Sequence, residues 1–379
     1  MRNIKITCLF LFHLAFANIQ AQIQNPKNLA YTWTTDTSKH SVELNELTLA
    51  TQKDELVPLD YPAFISKNDP GFDYYDFEPV IAIQFGGQAK AYPLSVLTLF
   101  ELSNDTLGGK PLMITYCPMC NAAIVFNRNV KTNGVEKTLH FGISGLLMHN
   151  DMVMYDKETN TWWEQLMGSA IAGEFNEYNL EMMPAMLISA KDYFDRFPDG
   201  KILAPIGSEK FGKHHQHRPF HHLDHNKNHL EKKYYFPEKT DPRLPPLERV
   251  LDIHVADHSE IFPFSVLEHK GVINEKFDNL NFSIFYHKDM VTVLDVDKLS
   301  HAHKVGSATA FRSILGKDTF TFYKSGNYFK DHQTNSTWDI TGYCREGISK
   351  GKQLWLLPHS SHFAFAYLAF FPDCTIYKE

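Results

Sequence analysis

At 379 residues, 43% hydrophobic and 21% charged, the chain has room for two domains of about 150 residues plus connecting material, and its composition excludes wholesale disorder. A formal net charge of -7 and a pI near 6.3 leave no broad cationic surface for phosphate backbones, which excludes nucleic acid as a partner class. The 13% aromatic share, with 29 Phe and 17 Tyr, favours strands over helices.

The first residues read as an export signal. Arg2 and Lys5 supply positive charge, Ile6 to Phe16 a short apolar core, and Ala15-Phe-Ala17 or Ile19-Gln-Ala21 a small-residue cleavage site. The apolar run falls well short of the roughly 20 residues a spanning helix needs, and no later run reaches that length. An exported protein is expected, periplasmic or secreted, without stable membrane insertion after signal removal. Residues 22–77 are polar and mixed, and read as an N-terminal extension with short strands.

From Pro79 the pattern tightens. Pro79 to Phe85 is an apolar strand, Gly86-Gly87 a hairpin turn, Ala89 to Tyr92 the returning strand, and Pro93 opens a short helix reaching Leu102. A loop with Gly108-Gly109 leads into the strand that delivers Thr115-Tyr116-Cys117-Pro118-Met119-Cys120-Asn121, a tight connection between the apolar runs Leu112 to Tyr116 and Ala122 to Phe126. Further strands are expected at Thr138 to Gly142, Met152 to Tyr155 and Ile171 to Gly173, then a helix from Ser189 to Phe197.

This pattern occurs twice. A shift of 170 residues lays Pro79-Val80-Ile81 on Arg249-Val250-Leu251, Tyr92-Pro93-Leu94-Ser95 on Phe262-Pro263-Phe264-Ser265, Asn104 on Asn274 and Tyr116 on Tyr286. The shift drifts to 175 at Trp163 and Trp338, then to 174 at Phe197-Pro198-Asp199 and Phe371-Pro372-Asp373. The expected fold class is therefore α+β, strand-rich, a tandem duplication of a β-rich domain with short helices. The expected parts are a signal peptide (1–21), an extension (22–77), repeat 1 with the Cys-x-x-Cys (78–205), a His-rich linker (206–246) and repeat 2 with the His-x-x-His (247–379). The linker carries His214, His215, His217, His221, His222, His225 and His229, and reads either as a metal-gathering tract or as a solvated spacer.

The copies differ where chemistry is expected. Cys117 falls on His287 and Cys120 on Met290, while His359-Ser-Ser-His362 matches a histidine-free segment of the first copy. Three readings of the thiol pair stay open. In the first it binds copper or zinc together with His359 and His362, placed on one helix face, with His287 and Met290 in reserve, for metal handling or redox. In the second it is a redox dithiol exchanging with a partner protein, and in the third a structural disulfide in a non-catalytic binding module. Cys344 and Cys374 read as a separate staple. Asp156, Glu164 and Asp339 are candidate acid or base groups, although acidic residues beside strand turns are usually solvated. The methionines, nine of 11 between Met113 and Met186, read mainly as core filling, and Trp163 and Trp338 as equivalent core anchors. No nucleotide-binding loop, dinucleotide fingerprint or nucleophile elbow is present, so no nucleotide cofactor is expected and enzymatic activity stays open.

Tyr92-Pro93-Leu94, Asn104-Asp105-Thr106 with Gly108-Gly109, Thr115 to Cys120, Phe141 to Leu147, Met154-Tyr155-Asp156, Ser336-Thr337-Trp338 and His359 to Phe363 together resemble the bacterial family catalogued as domain of unknown function 3179. The resemblance runs from about Pro58 to the C-terminus. It implies an exported bacterial protein and supplies no activity. The chain departs from the family pattern in its His-rich linker, in Cys344 and Cys374, in its richness in Met148, His149 and Met152, and in Asn121, where glycine is usual.

Overall fold

The computed structural model describes residues 33–132, 134–206, 220, 223–224, 226–228, 230, 239–255 and 258–378. The expected signal peptide and the seven linker histidines lie outside the described residues. The fold is α+β and strand-rich. Its α-helices, among the described residues, are four seven-residue segments: Leu94–Phe100 (α1), Ala190–Arg196 (α2), Phe264–Lys270 (α3) and Ala364–Phe370 (α4). None of the described helices is long and apolar enough to cross a membrane.

Five consecutive elements recur with identical lengths. Strands Pro79–Phe85 and Gln88–Pro93, α1, then strands Leu102–Leu107 and Lys110–Cys117 are matched by Arg249–Val255, His258–Pro263, α3, Val272–Phe277 and Leu280–His287. The local causes recur as well. Pro93 and Pro263 end a strand and cap the helix that follows, with φ near -60° as the ring requires. Each helix stops at a left-handed residue, Glu101 (φ 55°) or Gly271 (φ 69°), whose N–H donates to Leu97 O or Leu267 O at 2.7 Å. Asn104 and Asn274 each donate Nδ2–H to a carbonyl, Phe141 O and Phe322 O, at 2.9 Å. The same two phenylalanines return their N–H groups to the asparagine Oδ1. Asp156 and Asp331 likewise accept from the indole of Trp163 (2.9 Å) and Trp338 (2.8 Å), both fully buried.

Length differences between the halves move the offset, and the two largest flank the cysteine position. The four-residue turn 118–121 of the first half is replaced by the connection 288–306 in the second, so that Ala122 and Ser307 hold equivalent pairings with Cys117 and His287. The hairpin between the paired ends Phe141 and Asp156 then spans 16 residues, whereas its counterpart between Phe322 and Asp331 spans 10.

The halves complete one another. Strand Ser361–Phe363 packs against Ala122–Asn127, and Met186–Ser189 packs reciprocally against Ser307–Arg312. The largest core cluster accordingly joins Ile81, Leu97 and Met113 to Val250, Phe363 and Tyr367, and a second joins Val80, Ile188 and Tyr193 to Phe285, Phe329 and Trp338. The N-terminal extension adds strands to this frame, with Leu47–Leu49 pairing along Phe141–Met148.

Two expectations fail here. His359 and His362 lie on no helix: Ser361–Phe363 is a strand paired with 249–251, and α4 begins only at Ala364. Pairing with the neighbouring strand overrides the helical spacing of the two histidines. Cys344 and Cys374 form no staple either, for both are free thiols and belong to different core clusters.

Candidate metal centre

Cys117 is the last residue of its strand, and the turn 118–121 folds Cys120 back beside it. Asn121 closes that turn at φ 50°, a conformation in which asparagine can stand for glycine, and its N–H donates to Pro118 O at 3.3 Å. Cys120 O accepts the N–H of Phe363 at 2.8 Å, so the C-terminal half fixes the turn from outside. Both cysteines are free and buried.

The third member of the site comes from the long hairpin. His149 (φ 48°) and Asn150 (φ 72°) make its two-residue turn, the backbone pattern that matches strand twist, and Asp151 starts the returning strand. This reach puts a carboxylate oxygen of Asp151 and the sulfurs of Cys117 and Cys120 within 4.8 Å of one another. Cys117 Sγ also lies 3.7 Å from Asn150 O, in hydrogen-bonding geometry. Asp151 Oδ2 accepts Leu166 N–H at 3.0 Å, and its buried Oδ1 has no hydrogen-bond partner.

Glu164 stands behind Asp151, accepting Leu166 N–H at 2.9 Å and Met167 N–H at 2.7 Å. Gln165 ties the layer to the cysteine strands by donating to Thr115 Oγ1 at 2.8 Å and to Ala122 O. Asp151 and Glu164 are fully buried, and Cys117 is 1% exposed. Burial, then the neighbouring Cys117, pushes the Asp151 carboxyl well above the usual range; burial, then Asp151, does the same to Glu164. Burial and Cys117 likewise raise the Cys120 thiol. Asp151, Glu164 and Cys120, crowded out of water, hold their protons unless a cation replaces them.

The other predicted residues lie elsewhere. His359 Nδ1 is 2.7 Å from Leu357 O, and its buried Nε2 has no partner; burial holds its pKa below the ordinary value. His362 Nε2 is 2.6 Å from Ser360 Oγ, which in turn donates to Asp252 at 2.8 Å. Neither histidine joins the cluster of Cys117, Cys120 and Asp151, which is the one such group of three found among the described residues. His287 ends its strand as Cys117 does, but it engages Asp192 at 3.1 Å. Met290 is buried in the 288–306 connection, where its carbonyl accepts from Val305 and Gly306.

Of the candidate acid or base groups, Asp156 anchors a tryptophan, Glu164 belongs to the thiol site and is not solvated, and Asp339 is held by Arg345 at 2.5 Å. Asp151 was the residue that sequence reading passed over. Its signal was a lone acid between methionines, Met148-His149-Asn150-Asp151-Met152, at the tip of an otherwise apolar hairpin.

Searches of curated proteins and of solved structures gave no match. A family model does match, over residues 53–374, most of the chain and all of the thiol site. The chain therefore belongs to the family described as protein of unknown function (DUF3179).

Proposed function

We propose that this is an exported metal-handling protein that holds one zinc or copper ion on Cys117, Cys120 and Asp151, with Glu164 as the second carboxylate behind them. The observation that carries the reading is Asp151 Oδ1, buried beside two free thiols and without a hydrogen-bond partner. Burial raises the Asp151 carboxyl and the Cys120 thiol, and a cation is the partner that can displace their protons and let carboxylate and sulfur stay buried. Two sulfurs and one oxygen suit zinc, while the thiolates favour copper(I); neither magnesium nor calcium takes sulfur. The four-residue turn brings the two sulfurs together with little backbone adjustment. A site closed on every side retains its ion, which favours holding a metal over passing it rapidly to a partner.

Thiol–disulfide exchange ranks second. The free state of both cysteines suits it, but an attacking sulfur needs access along the S–S axis, and Cys120 is fully buried. The test is elemental analysis of the full-length chain beside its Cys117→Ser and Asp151→Asn variants, which share the same histidine tract. The wild type should hold about one zinc or copper more per chain than either variant. Equal metal in all three, with Cys117 and Cys120 joined in a disulfide on non-reducing peptide mapping, would refute the metal reading.

A further inference from the structure

The two most exposed large apolar side chains among the described residues are close neighbours in the chain: Ile348 is 84% exposed and Trp355 71%. Ordered backbone displays both. Ile348 sits on the turn after strand Cys344–Glu346, closed by Lys350 N–H to Gly347 O at 3.1 Å and by Gly351 N–H to Cys344 O at 2.9 Å. The buried Ser349 pins that turn from within, its N–H donating to Ser336 Oγ at 3.1 Å. The chain then returns through the buried Leu354 to the two-residue edge strand Trp355–Leu356, where Trp355 stands opposite Arg312. Ser349 and Leu354 thus turn inward, while Ile348, Lys350, Lys352 and Trp355 stay outside.

The first half treats the corresponding position as ordinary surface. There Phe126 bridges Met182 as Phe311 pairs with Leu356, and Glu181 stands in the place of Trp355. Glu181 accepts from Asn127 Nδ2 at 2.7 Å and lies 3.4 Å from Lys110. Around Trp355 the charge is mostly positive. Lys350, Lys352 and Arg312 are exposed and form no ion pair among the described residues. Glu346, the one acid of residues 345–356, lines the cleft of about 970 Å³ that opens at His287 between the halves, as does Arg345, which Asp339 holds. On the hairpin beyond Arg312, the exposed Lys317 and Asp318 offset each other. The net charge of -7 belongs to the chain as a whole, and beyond about 10 Å it is largely screened in 0.1 M salt.

An aliphatic side chain and an indole set among lysines suit a lipid surface better than a protein partner. Lysine is depleted in protein interfaces. At a bilayer its stem stays in apolar surroundings while the ammonium reaches the phosphates, and indole favours the headgroup level. We infer that this face docks the protein on an anionic phospholipid bilayer, with Ile348 and Trp355 seated among the headgroups and Lys350, Lys352 and Arg312 on the lipid phosphates. The attachment is peripheral, and it does not depend on the proposed metal centre.

Co-sedimentation of the full-length protein with vesicles tests this, using equal parts phosphatidylglycerol and phosphatidylcholine against phosphatidylcholine alone. The mixed vesicles should bind it, and raising the salt to about 0.5 M should release it. Trp355→Ala should weaken binding about tenfold, and so should Lys350→Gln with Lys352→Gln. All three side chains are exposed, so these variants keep the fold, with unchanged far-ultraviolet circular dichroism as the control. Trp162, Trp163 and Trp338 are fully buried, so quenching of tryptophan emission by brominated acyl chains should appear in the wild type and be lost in Trp355→Ala. The inference is overturned if the mixed vesicles do not bind at about 1 mM lipid, or if phosphatidylcholine alone binds equally. It is equally overturned if Trp355→Ala binds as well as the wild type. A protein that ignores vesicles but forms dimers that Trp355→Ala dissociates in light scattering would overturn it in favour of a contact between two copies of the chain.

Discussion

The sealed thiol pocket and the open histidine cleft stand at the same point of the same run of five elements, and they differ through the loops around them. In the first half a four-residue turn and a 16-residue hairpin close over Cys117; in the second the connection 288–306 and a 10-residue hairpin leave His287 facing a cleft. The framework beneath is equal, down to the paired asparagine clamps and the two aspartate-held tryptophans. Loop length can change at little thermodynamic cost, so it is where two runs of like elements can part in chemistry.

Trp163→Ala and Trp338→Ala probe the shared framework. Each removes a fully buried indole held by an aspartate and should cost about 3–5 kcal/mol in denaturant unfolding. A large inequality between the two would break the equivalence of the halves.

Asp151→Asn probes what only the first half has. It should lower metal affinity at least tenfold, about 1.4 kcal/mol or more, in competition with a chromophoric chelator, while His287→Gln leaves that affinity unchanged. Loss of metal in both variants would mean that the two sites are coupled.

The helix ends offer a finer contrast, because Glu101 occupies the left-handed position that Gly271 fills in the other half. Glu101→Gly should stabilise the fold by about 1 kcal/mol at pH 5 through the backbone alone. Burial raises the Glu101 carboxyl from 4.5 to about 8. The folded state therefore binds its proton more tightly than the unfolded state does. The stability this contributes is complete below about pH 4.5 and is lost as pH rises towards 8. The advantage of Glu101→Gly should accordingly grow between pH 5 and pH 8 in thermal unfolding, and a pH-independent gain would show that the carboxyl is not buried in solution.

The smallest effect belongs to the open hairpin. Tyr328→Ala should shift stability by no more than about 0.5 kcal/mol, whereas Met152→Ala on the buried hairpin of the first half should cost about 2–5 kcal/mol.

Much of this was legible in the chain. Proline and asparagine at constant spacing marked the repeated strands, the short helices and the equivalent tryptophans, because turns and caps depend on a few adjacent residues. The cysteine pair was legible for the same reason, since both thiols sit on one four-residue turn. Asn121 is a smaller case: the left-handed backbone there suits asparagine, one of the few residues besides glycine that adopt it readily.

What sequence alone determined was therefore local: an α+β, strand-rich chain with a recurring order of elements, two thiols on one turn, and membership of its family. Tertiary structure decided which groups meet those thiols. Asp151 is 31 residues beyond Cys120 and arrives only because the long hairpin folds back over the turn. His362 is drawn instead into a strand beside 249–251 and His359 lies just before it, with Leu357 O beside His359 Nδ1 and Ser360 and Asp252 beside His362 Nε2. Partners distant in sequence are chosen by strand register and by burial, and both of those belong to the folded chain as a whole.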